Sequence, residues 1–211
     1  MTGNEERLGL PTVVLADALS LVGEVVGRLL QRRLQVLSVV DTSDEFIEAV
    51  RASHPDVAIV DLALGAGALD VLQQLRKEGL SARFIVTCDH ESPAAAEWVM
   101  ACGADAFVPK QRGVGELLRA IDAALSGRRY ITQLAPQHDR DSDVVRLQRL
   151  TKRQKEIARC VLLGYAAKQI AIELNMSRRT VEAHRTTIIA IFNSKNVFEL
   201  RARLRPLAGM L

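Results

Sequence analysis

The sequence predicts a doubly wound parallel α/β unit, a (βα)5 array, followed by a small all-α helix-turn-helix domain. Three observations carry this. Residues 12–126 alternate short apolar runs with amphipathic stretches five times, as strands covered by helices on both faces do. Residues 166–192, AAKQIAIELNMSRRTVEAHRTTIIAIF, read as two short helices joined by a tight turn. Charge is also partitioned. Residues 149–211 hold 13 Lys/Arg and 4 Asp/Glu, a net of +9, whereas residues 1–148 hold 15 and 21, a net of −6. A basic module behind an acidic one points to a polyanion bound at one end only.

Taken in order, the apolar runs Thr12–Ala16, Val36–Val40, Val57–Val60, Phe84–Thr87 and Ala106–Val108 are the expected strands. Helices are expected near 19–33, 43–53, 67–78, 93–102 and 114–126, with Gly103 and Gly127 standing where helices stop. The array fills residues 11–128. From 129 to 148 the periodicity fades, and Pro136, His138 and Asp139-Arg140-Asp141 suggest a linker, although Val144–Leu150 also fits an extension of the next helix. The last unit, 149–211, opens with Thr151 as cap of a helix that puts Ile157, Val161 and Leu162 inward and ends at Gly164. A final helix runs from Val197 to Leu204, before Pro206. Residues 1–11 lack an apolar signal core and no charge-free run reaches membrane-span length, so a cytoplasmic location without membrane contact is expected. Cys88, Cys102 and Cys160 are an odd set without metal-ligand spacing and suggest buried thiols in a reducing compartment; a redox role is left open. His54, His90, His138 and His184 form no ligand or triad spacing, which argues against a metabolic enzyme.

In the two-helix stretch, Ile170, Ala171 and Leu174 share a face, and Ser177 is a good N-cap for the second helix. That helix turns Val181, Ile188, Ile191 and Phe192 inward. Arg178, Arg179, Thr180, Glu182, Ala183, Arg185 and Thr186 are left on or beside the outward face. Arginines among small residues suit a major groove, where they contact phosphates or pair with guanine. An ordinary helical pair with a solvated basic face fits the same pattern.

Parallel α/β sheets bind ligands at the carboxyl ends of their strands. Asp17 follows the first expected strand, Asp61 the third, Thr87 ends the fourth, and Lys110 comes two residues after the fifth. Two carboxylates, a hydroxyl and an amine on one edge suit phosphoryl chemistry: Asp61 as the acceptor, Mg²⁺ on Asp17, Asp61 and a loop carbonyl, and Lys110 and Thr87 on phosphoryl oxygens. The plain alternative, that Asp17 and Asp61 only cap the helices after them, is left open by the residues alone.

With these residues set out, residues 12–126 resemble a receiver domain of bacterial two-component response regulators. The matching elements are Asp17, PDVAIVD ending in Asp61, FIVT ending in Thr87, and GADAFVPK ending in Lys110. LTKRQKEI, GYAAKQIAIEL and MSRRTVEAHRTTI resemble the LuxR/FixJ-type DNA-binding domain, in the order of the NarL/FixJ class. The resemblance implies a flavodoxin-like receiver with Asp61 as phosphoacceptor, Thr87 and Phe107 as switch residues, and Lys110 as phosphate contact. It implies Mg²⁺ on Asp17, Asp61 and the Ala63 carbonyl, Lys168 on the DNA backbone, and the outward residues from Arg178 to Thr186 as the recognition surface. It also implies a homodimer paired through the last helix on promoter double-stranded DNA, a histidine kinase as phosphodonor, and RNA polymerase as a further partner. Phe107 as core packing and Lys168 as a solvated lysine are the plain readings.

Three departures stand out. Ala18 takes the place of a second acidic residue after the first strand, the loop after Asp61 reads LALGAGALD without a Met-Pro turn, and Ile191 replaces a frequent lysine. Two alternatives therefore stand beside a phosphorylation-switched transcription regulator. One is a regulator whose degenerate receiver works by dimerisation or a partner; the other is an interaction module that sequesters another regulator.

Overall fold

The computed structural model describes residues 9–64, 67–89, 91–133 and 138–211. Its first part alternates β1 (Thr12–Ala16), α1 (Ser20–Leu30), β2 (Gln35–Val40), α2 (Ser43–Ser53), β3 (Val57–Asp61), α3 (Ala68–Lys77), β4 (Arg83–Cys88), α4 (Pro93–Ala101), β5 (Ala106–Pro109) and α5 (Gly113–Leu125). The strands lie parallel in the order β2-β1-β3-β4-β5. Alternate residues feed the two faces, as the period of a strand requires. Val13, Leu15, Val57, Ile59 and Ile85 meet α1 and α5 residues such as Leu30, Leu117 and Ile121. Val14, Ala58, Val60, Phe84 and Val86 meet Phe46, Leu72 and Val99 of α2, α3 and α4. At the amino edge Asp56 accepts from the Thr12 amide and hydroxyl at 2.8 and 2.7 Å, fixing β1 against β3.

The expected linker carries structure. A short strand, β6 (Tyr130–Ile131), adds to β5 in parallel and makes the sheet six-stranded. Residues 138–148 form a separate helix, α6 (His138–Gln148), which ends before Thr151 instead of extending the next helix. Two strand residues are too few to show alternation, and the charged start of α6 hides its apolar side. That side is short: Val144 and Leu147 are fully buried. Pro136, His90 and the Gly65-Ala66 part of the Asp61 loop lie outside the described residues.

The second part comprises α7 (Lys152–Leu162), α8 (Ala167–Glu173), α9 (Arg178–Ile191), α10 (Val197–Leu204) and a closing 3-10 turn, Arg205–Met210. Local chemistry sets each start. Thr151 and Gln154 form a reciprocal capping box, Ser177 accepts from the Thr180 amide at 3.0 Å, and Asn196 accepts from the Phe198 and Glu199 amides. Gly164 takes a positive φ of 86° just past α7, as a helix-ending glycine does. Ile157, Val161, Ile170, Val181, Ile188, Phe192 and Leu200 form the core of this part.

The two parts touch. Arg159 pairs with Asp70 at 3.2 Å, Lys155 lies 4.9 Å over the Trp98 ring, and Arg203 pairs with Asp143 of α6 at 3.0 Å. Leu207, Met210 and Leu211 are buried, and a Cβ at Gly209 would collide with the Leu62 carbonyl, so the closing turn lies against the backbone that follows Asp61.

Helix α1 approaches β2 through Gly23 and Gly27, whose Cβ positions would meet Val39 methyls at 3.1 and 2.9 Å. Gly27→Val should therefore overpack this contact and lower stability by about 2 kcal/mol in denaturant unfolding. An unchanged midpoint would show that α1 can ride higher on the sheet.

Candidate functional site

The order β2-β1-β3 places a topological switch at β1, and the carboxyl ends of β1 and β3 open the crevice there. Both strands deliver a carboxylate. Asp17 and Asp61 are buried, and Lys110, in a 3-10 turn after β5, reaches both: its Nζ lies 2.8 Å from Asp17 Oδ2 and 2.9 Å from Asp61 Oδ2. Asp89 completes the ring at 3.6 Å from the same ammonium. The sequence reading missed Asp89, although its position just past β4, on the same edge of the sheet, was the available signal.

Each carboxylate also closes a local turn. Asp17 Oδ1 accepts from the Leu19 amide at 2.9 Å, and Asp61 Oδ1 from the Ala63 amide at 3.1 Å. Neither is the cap of the following helix, since Leu19 and Gly67 hold those positions. The remaining oxygens, both Oδ2, face the cleft and meet on Lys110. Where a second acid would follow Asp17, the Ala18 amide donates to Asp61 Oδ2 at 3.4 Å.

Burial pushes the Asp61 carboxyl above its ordinary range, against the opposing pull of the Lys110 ammonium. Burial works to lower Lys110, but the hydrogen bonds to Asp17 and Asp61 outweigh it and hold the amine charged above its usual value. Lys110 is therefore a fixed cation facing two desolvated oxygens. Thr87 sits beside Asp61 in the β3–β4 register, is buried, and accepts the Leu62 amide on its carbonyl at 2.7 Å. Phe107, opposite Val86 in β5, is fully buried in the core.

The donor set suits a small hard cation. Mg²⁺ is held by one or two protein carboxylates plus phosphate oxygens, and Asp17 and Asp61 already converge on a cation position. The exposed Ala63 stands two residues beyond Asp61.

In α9 the side chains divide as the helical period demands. Val181, Ile188 and Phe192 are buried, whereas Arg178, Arg179, Thr180, Glu182, Ala183 and Thr186 are exposed. Arg185 lies beside that exposed face, nearer the core. Its side chain is 18% exposed, it lies 3.6 Å from Glu182, and its Nε has no hydrogen-bond partner among the described residues. The cause is angular: Arg185 lies four residues after Val181 and three before Ile188, both buried, and so sits at the edge of that stripe. Ile191 packs against the core, which accounts for an apolar residue there. Lys168 is exposed on α8. Cys88, Cys102 and Cys160 are buried, and burial pushes the thiols of Cys102 and Cys160 up, so both stay protonated at neutral pH. No helix among the described residues is long and apolar enough to cross a membrane.

Comparison with known proteins gives two family matches: "Response regulator receiver domain" over residues 13–122 and "Bacterial regulatory proteins, luxR family" over residues 148–202. The transcriptional regulatory protein UhpA of Salmonella typhimurium is 31% identical over 196 residues, covering 92% of this chain and 97% of that protein. The chain also resembles the crystal structure of a LuxR-family two-component response regulator from Aurantimonas. That likeness has 29% identity and a TM-score of 0.55, and covers 58% of this chain and 89% of the other. RcsB of Salmonella enterica, bound to a promoter with a phosphomimetic, has the same fold at a TM-score of 0.58 and 19% identity, over 96% of this chain and all of that one.

Replacing Lys110 by Met should cost about 3 kcal/mol at pH 7, because two buried carboxylates lose their counter-ion. The raised amine keeps its contribution throughout the range below its ordinary pKa. The loss should accordingly shrink only in acid, as Asp61 takes up a proton. Urea unfolding at pH 7 and pH 4.5 reads this; an equal loss at both would mean the carboxylates do not depend on the lysine.

Proposed function

Because the chain belongs to the response-regulator receiver family and carries a LuxR-type DNA-binding domain behind the receiver, we propose that it is a transcription regulator switched by phosphorylation of Asp61. The single observation that carries this reading is the convergence of Asp17, Asp61 and Lys110 on one point, in the same chain as a basic, exposed α9 face.

The role of each residue follows from its place. An Asp61 oxygen attacks phosphorus on a phosphohistidine donor; the P–N bond breaks, its electron pair leaves with the imidazole, and an acyl phosphate forms. Lys110, already aimed at Asp61 Oδ2, transfers its hydrogen bond to a phosphoryl oxygen. The Thr87 hydroxyl takes a second one, drawing the end of β4 inward, and Phe107 in the adjoining strand responds. Asp17, Asp61 and the Ala63 carbonyl would hold Mg²⁺, which would neutralise charge on the phosphoryl group when bound. Reversal requires only water at the acyl phosphate, which makes a timer rather than a metabolic activity.

A route from cleft to reader is supported by the closing turn against Leu62, the residue after Asp61. Movement of that backbone alters the seat of the C-terminal helices. The freed units then bind two half-sites as a pair, with Arg178 and Arg179 entering the major groove first and Lys168 on the backbone. A histidine kinase is the phosphodonor, a second copy the partner on DNA, and RNA polymerase the downstream contact. The boundaries 11–128 and 149–211 delimit receiver and reader, with β6 and α6 joining them.

A second reading has a specific observation behind it. The Ala18 amide stands where a second carboxylate would ligate metal, which favours a receiver controlled by pairing or a partner. Intact-mass measurement after acetyl phosphate and Mg²⁺ decides between them. We expect one added phosphoryl group on the wild type and none on Asp61→Asn; an unmodified, folded wild type would favour the second reading. Arg179→Ala should weaken DNA binding about tenfold and lower the salt slope by roughly one unit in titrations between low and moderate salt. Unchanged affinity and slope would remove α9 as the reader.

A further inference from the structure

The receiver and the C-terminal helices enclose a cavity of about 390 Å³, within the size range of small-molecule sites. Leu69 of α3 and Trp98 of α4 form one wall; Leu150, Lys152 and Lys155, at the start of α7, form the other. Charge on the second wall is out of balance. The first turn of α7 carries Lys152, Arg153 and Lys155 and no acid, at the helix end where the dipole is already positive. Arg153 pairs with Glu156, and Arg159 further along pairs with Asp70. Lys152 has no ion-pair partner among the described residues. The Lys155 ammonium rests on the Trp98 ring at 4.9 Å and pairs with no carboxylate among them. Neither lysine belongs to the Asp61 cleft or to α9.

We propose that this cavity is a ligand site for a nucleoside monophosphate. Two ammonium groups one helical turn apart match a doubly charged phosphate better than a single carboxylate. Trp98 supplies an aromatic face on which a base stacks, and Lys155 exchanges the ring for the phosphate as the ligand enters. Gln73 on the rim, whose Nε2 donates to Cys102 Sγ at 3.2 Å, offers its amide carbonyl to a base amine. The walls come from both parts of the chain. A ligand there therefore binds the docked arrangement in preference to one in which α7 has left the receiver, and opposes release of the reader. That consequence rests on the reading of the chain as a DNA-binding regulator; the site itself does not.

The chain has a single tryptophan, so Trp98 fluorescence reads the cavity directly. Titration of the full chain with AMP is expected to give a saturable change, with adenosine and inorganic phosphate each binding at least roughly tenfold more weakly. Lys152→Gln and Lys155→Gln should each raise the AMP dissociation constant roughly tenfold, whereas Lys195→Gln, outside the cavity, should leave it unchanged. Saturating AMP should weaken DNA binding by the wild type roughly tenfold. A wild type whose fluorescence ignores millimolar AMP, or that binds adenosine or phosphate as tightly, would overturn the proposal. So would a Lys155→Gln protein that binds AMP as well as the wild type does. DNA affinity that ignores saturating AMP would overturn the coupling of site to reader. Saturable AMP binding by a chain that binds no DNA in either condition counts against the DNA-reading role alone.

Discussion

Everything in the receiver's crevice depends on one ammonium held between two buried carboxylates. Asp17 and Asp61 come from the ends of different strands, separated by more than forty residues of sequence, and burial drives Asp61 towards protonation. Lys110 offsets that penalty, and it does so with its Nζ at nearly equal distance from the two Oδ2 atoms. The arrangement is poised. Adding a phosphoryl group to Asp61 changes the charge that Lys110 must balance, and the lysine has a third carboxylate, Asp89, within reach of adjustment.

That balance is joined mechanically to the rest of the chain. Leu62 follows Asp61, is tied to the end of β4 through the Thr87 carbonyl, and carries the backbone oxygen on which Gly209 rests. Asp70–Arg159 and Trp98–Lys155 add two polar contacts from α3 and α4 to α7. A shift of a few tenths of an ångström at Leu62 is not absorbed by a soft surface there, because the contact is backbone against glycine.

Much of this was legible in the sequence. Each of the five apolar runs became a strand, within a residue at either end; β1, β3, β4 and β5 read as unbroken runs because they are buried on both faces, whereas β2, at the sheet edge, is only partly buried. Ser177, Thr151 and the helix Val197–Leu204 were equally readable, since capping is local chemistry. What escaped depended on tertiary contact. β6 has only two residues and exists because β5 offers it a free edge. α6 looked like a linker because its apolar residues are few and find their partners on α4 and in the C-terminal helices. Arg185 reads from the helical spacing as on or beside the outward face, and it lies on the side nearer the core. The cleft was readable because position at a strand end is a topological fact. Asp89, directly after β4 as Asp17 is directly after β1, carried the same signal.

The central claim, that the acidic cleft governs the basic helix, is tested most directly by the DNA affinity of the full chain with and without acetyl phosphate and Mg²⁺, beside Asp61→Asn. The account predicts tighter binding of the treated wild type and no response from Asp61→Asn. Equal affinity of wild type in both conditions, with phosphate present on the protein, would contradict it.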